Sequence, residues 1–76
     1  MNAKRRDDIR KAIELIQEAR SVLETAGEEE QEYLSNMPEG LQGSEKGQKA
    51  EEAVSALESA VTSLDEACDN AETATE

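Results

Sequence analysis

The stretch AVSALESAVTSLDEACDNAET, residues 53–73, divides into three seven-residue units, AVSALES, AVTSLDE and ACDNAET. With Ala50 ahead of it, its apolar seam runs Ala50, Val54, Leu57, Val61, Leu64, Cys68, Ala71 in alternating steps of four and three. That spacing is one face of a helix in a coiled-coil-like bundle. Beside the seam, Ala53, Ala60, Ala67 and Ala74 form a second column seven apart. Small residues there let a neighbouring helix approach closely.

The first half of the chain carries the same device less cleanly. Ile9, Ile13, Ile16, Leu23, Leu34 and Met37 make a seam, broken by Arg20, Gly27 and Glu30, with Ala12, Ala19, Ala26 and Tyr33 in the parallel column. Glycine inside a helix costs about 1 kcal/mol relative to alanine, so one helix over about 7–35 is expected to be soft near Gly27. Arg20, set in the seam, is expected to run its stem along the core and reach solvent or a carboxylate.

Between the halves lies SNMPEGLQGSEKG, residues 35–47. The residue before a proline is pushed out of the helical region, so the first helix stops at Asn36-Met37-Pro38. Ser44 suits an N-cap for the second, with Gly47 delaying regular helix to about residue 48. The expected organisation is one all-α domain: helix 1 about 7–35, a connector over 36–47, helix 2 about 48–74. Met37 and Leu41 are expected to plug the end of the bundle, and Gly40 and Gly43 to supply turn conformations.

Two helices of this length joined by a short connector fold back as an antiparallel hairpin. That lays Arg6, Arg10 and Lys11 beside Glu72, Asp69 and Asp65 or Glu66. A chain of 76 residues with no Trp, Phe or His builds its core from Ala, Leu, Ile, Val and Met alone, and a two-helix hairpin buries only one stripe per helix. The reading therefore expects a homodimer closing a four-helix bundle.

The net charge of -11 is unevenly spread. Residues 1–20 hold six basic and four acidic side chains, +2; residues 21–76 hold two basic and fifteen acidic, -13. Such a surface repels nucleic-acid phosphates and anionic lipid and complements a basic protein. No apolar run approaches the roughly 20 residues needed to span a bilayer, and a single Cys68 gives no internal disulfide, so a cytoplasmic protein is expected.

Without histidine, a Ser-His or Cys-His pairing or a phosphate-binding glycine loop, an enzyme is not expected, nor a bound metal or cofactor. Cys68 sits on the seam as a small hydrophobe. The candidates for contact with a partner are acidic. Glu51, Glu58, Asp65 and Glu72 recur every two turns, about 10 Å apart, with Glu52, Glu66 and Asp69 nearby. Glu28, Glu29 and Glu39 complete the candidate set. Charged positions flanking a heptad seam ordinarily pair with the facing helix, but this chain has too few cations to neutralise them internally. A negative rod of this kind imitates a nucleic-acid backbone.

The run NMPEGLQ at Asn36–Gln42, followed by KAEEAVSALESAV, resembles small acidic helical proteins of phages, prophages and Firmicute-type bacteria. In these an Asn-Met-Pro-Glu-x-Leu-Gln loop precedes Ala/Leu/Glu heptads; the likeness spans residues 30–68. It implies a mobile-element setting, where short acidic helical proteins bind and block host proteins, defence nucleases among them. The resemblance carries no catalytic role to any residue. The leading expectation is a non-enzymatic acidic protein-binding module of the anti-CRISPR kind, acting on a basic host protein or nucleoprotein. The alternative is a small self-associating or accessory helical bundle.

Overall fold

A computed structural model describes all 76 residues, and it is helical throughout apart from short connecting segments. Helix α1 spans Ala3–Ser35, a single helical turn α2 spans Glu39–Gln42, and α3 spans Glu45–Thr75. The two long helices lie side by side in a rod of 58 × 14 × 13 Å. No helix is long and apolar enough to cross a membrane.

Helix α1 begins earlier than the hydrophobic pattern indicates because Asn2 caps it: its side-chain carbonyl accepts the Arg5 backbone N–H at 2.8 Å. The helix then runs through Gly27 without a break. It stops where proline requires, with the Asn36 N–H closing back on the Glu32 carbonyl at 3.0 Å.

The connector is shorter and more regular than the loop expected over 36–47. Residues 39–42 form a turn of helix, and Ser44 starts α3 at Glu45, not near residue 48. Its hydroxyl donates to the Leu41 carbonyl at 2.5 Å while its oxygen accepts the Gly47 N–H at 3.4 Å. Gly47 does not delay the helix; it is the point of closest approach. A Cβ there would collide with the Gln42 carbonyl oxygen and lie 2.7 Å from that of Leu41. Gly40 and Gly43 have open space around them and no glycine takes a positive φ, so neither is needed for its conformation. Met37 is half-buried, but Leu41 is 50% exposed and plugs nothing.

The packed stripe of α1 is Arg6, Ile9, Ile13, Ile16, Arg20, Leu23, Gly27, Glu30, Leu34, each buried or half-buried. The three residues that interrupt the apolar pattern thus stay in register. On α3 the whole seam from Ala50 to Ala71 is likewise removed from full exposure. Gly27 lies against Leu57, and Arg20 against Asp65.

Burial is shallow. Among apolar residues only Ile13, Ala50 and Val54 fall below a tenth of their free exposure. The chain exposes 5541 Å², against about 4,600 Å² for a compact protein of its mass. Its radius of gyration of 17.2 Å compares with roughly 11 Å for a compact domain of this length.

Candidate partner-binding groove

Along one side of the helix pair runs a groove of about 540 Å³. Leu23, Gly27, Val54, Leu57 and Val61 line its apolar part, where the two seams meet but do not cover each other. Glycine at position 27 removes a side chain from this wall and widens it.

The rim is acidic. Glu24 and Glu28 border the groove from α1, Glu58 and Asp65 from α3, and Arg20 is the one cation among its lining residues. That cation is committed: Arg20 Nε donates to Asp65 Oδ1 at 2.7 Å and Nη2 to Oδ2 at 3.4 Å, while Nη1 donates to Glu24 Oε2 at 2.5 Å. The hydrogen bond and charge of Asp65, with the charge of Glu24, hold the guanidinium proton more tightly than usual. Arg20 thus reaches a carboxylate, as its place in the seam suggests, and ties α1 to α3 at mid-length.

It is the single ion pair between the two helices. The expected ladder of Arg6, Arg10 and Lys11 with Glu72, Asp69 and Asp65 or Glu66 does not form. Arg10 pairs within α1 with Asp7 at 3.3 Å, and Lys4 with Asp8 at 3.0 Å. Contacts one turn away on the same helix need no long side chain to reach across the rod.

The acidic candidates separate into groups. Glu58, Asp65 and Glu28 meet at the groove, and Glu51 and Glu72 extend the α3 column beyond it, all exposed. Glu52, Glu66 and Asp69 are exposed elsewhere on α3; Glu39 opens α2. Glu29 lies on another side of α1, beside Val22. Glu24 was not among the expected residues. Its signal is the four-residue spacing from Arg20, which places both on one edge of α1.

Cys68 lies half-buried on α3. Burial pushes its thiol above the usual range, and the charges of Glu72, Asp65 and Asp69 add to the rise. It is therefore held as the neutral thiol, a poor nucleophile. No three carboxylate or thiol groups stand close enough to hold a metal ion.

Comparison with protein families, curated proteins and solved structures finds no match to this chain.

Proposed function

We propose that the chain is a non-enzymatic protein-binding module, built as an antiparallel helical hairpin, whose groove takes a basic amphipathic segment of a partner protein. The observation that carries this reading is the groove itself: an apolar floor between two half-covered seams, rimmed by four carboxylates whose only cation is already paired. An apolar stripe flanked by Lys or Arg fits both parts at once. The floor supplies burial, and the exposed Glu51, Glu58 and Glu72 column supplies steering that weakens as salt rises.

The basic cleft of a nucleic-acid-handling protein is the partner class that suits this charge. The Asn36–Gln42 likeness to phage and prophage proteins favours a host-defence nucleoprotein in the host cytoplasm as the target. A second reading, a self-associating four-helix bundle, is supported by the roughly 1,000 Å² of surface beyond that of a compact protein of this mass.

The test is titration of a fluorescent Lys/Arg-flanked amphipathic helical peptide with the protein at several salt concentrations. Saturable binding that weakens with salt, and that is lost in Glu28→Gln/Glu58→Gln, supports the reading. Equal binding of a peptide with the same apolar stripe flanked by Glu refutes it.

A further inference from the structure

Gly27 is a glycine that the fold does not require. It lies inside α1, where glycine costs about 1 kcal/mol relative to alanine. Its φ is not positive, and a Cβ there would meet only the Leu57 Cβ, at 3.5 Å, an ordinary contact. Neither backbone conformation nor a close approach of α3 calls for it, in contrast to Gly47, where a Cβ strikes the Gln42 carbonyl. What the missing side chain leaves is space, and that space opens on the groove, which Gly27 lines together with Leu23, Leu57 and Val61.

The charges beside this gap are uncommitted. Glu28 follows Gly27 and Glu58 follows Leu57, and both line the same groove. Neither takes part in any ion pair of the chain. The other two rim carboxylates, Glu24 and Asp65, are held by Arg20.

We propose that Gly27 is a notch for one apolar side chain of the bound partner, a Leu, Ile or Met, whose neighbouring Lys or Arg residues pair with Glu28 and Glu58. The proposal rests on the groove reading above and deepens it. A helix turns about 100° per residue, so the residues before and after a side chain that points into the groove are aimed at its two flanks. Cations there lie over carboxylates that nothing in the chain neutralises, while the apolar side chain enters the gap as a knob enters a hole. The partner segment is thus recognised by one apolar residue set between two basic ones. The helix gives up stability at this point and the site gains room.

The test is fluorescence titration of the full chain against two labelled amphipathic helical peptides, one with Lys-Leu-Lys at its centre and one with Lys-Ala-Lys. The wild type is expected to prefer the Leu peptide. Gly27→Ala is expected to melt at a higher temperature and yet to bind the Leu peptide at least about fivefold more weakly, with little change for the Ala peptide. Thr25→Ala, at an exposed helical position outside the groove, is expected to melt higher with both affinities unchanged, so that stability alone does not account for the loss. Equal wild-type affinity for the two peptides, an unchanged Leu-peptide affinity in Gly27→Ala, or an equal loss for both peptides overturns the proposal. So does a lowered melting temperature of Gly27→Ala, because the fold then needs the glycine. Leu-peptide binding that depends on Glu28 and Glu58 but not on Gly27 leaves the groove reading standing and removes the notch, whereas no binding of either peptide removes both. A dimer in sedimentation that the peptide dissociates puts a second copy in the groove and likewise overturns the proposal.

Discussion

Gly27→Ala adds a methyl group to the packed stripe of α1, and the structure has room for it. An ideal Cβ at this position meets only the Leu57 Cβ, at 3.5 Å, an ordinary van der Waals contact. The glycine has no positive φ to preserve. Replacing glycine by alanine inside a helix contributes about 1 kcal/mol. A half-buried methyl against Leu57 adds up to about 0.5 kcal/mol, taking half of the ~0.8 kcal/mol for a fully buried CH₂. The sum, about 1 to 1.5 kcal/mol, corresponds to a rise of roughly 5 to 10 °C in the melting temperature for a domain this small. Thermal melts followed by far-ultraviolet circular dichroism measure it, with variant and wild type at one protein concentration so that association does not shift the comparison. A melting temperature that stays level or falls refutes the reasoning: Leu57 then packs closer than the structure has it, or α1 bends at the glycine.

Gly47→Ala runs the other way. Its Cβ strikes the carbonyls of Gln42 and Leu41, backbone groups that yield only if the connector shifts, so the variant is expected to lose about 1 to 3 kcal/mol in urea unfolding. Wild-type stability would show that the connector is not held against α3. Cys68 is expected to react with iodoacetamide more slowly than a free cysteine at neutral pH, its rate profile displaced to higher pH. Burial first, then Glu72, Asp65 and Asp69, favour the protonated thiol over the reactive thiolate. Glu72→Gln should move the profile back down; a wild-type profile at or below that of free cysteine contradicts the assignment.

Much of the architecture is legible in residue spacing. The two seams appear in the sequence with their residues in register, including Arg20, Gly27 and Glu30, because helical periodicity is a local property that survives polar substitutions. Features that depend on distance across the rod are not legible. The sequence shows Gly47 as an awkward residue in a first turn, and only the position of the Gln42 carbonyl reveals why nothing larger fits. The cation ladder at the chain's N-terminal end was expected from charge alone, yet Asp7 and Asp8 lie closer to Arg10 and Lys4 than any acid of α3. At the groove, the heptad column leads to Glu58 and Asp65, while Glu24 emerges only once Arg20 is seen to grip both sides.

The connector also sets the order in which the molecule assembles. Ser44, Leu41 and Gly47 bond among themselves within a few residues, and Ala50 and Val54, two of the three buried apolar side chains, follow directly. Loop closure is least costly between segments near in sequence, so pairing of α1 and α3 starts at this end and closes progressively toward the paired ends of the rod. The end farthest from the connector is the last to close and the first to fray.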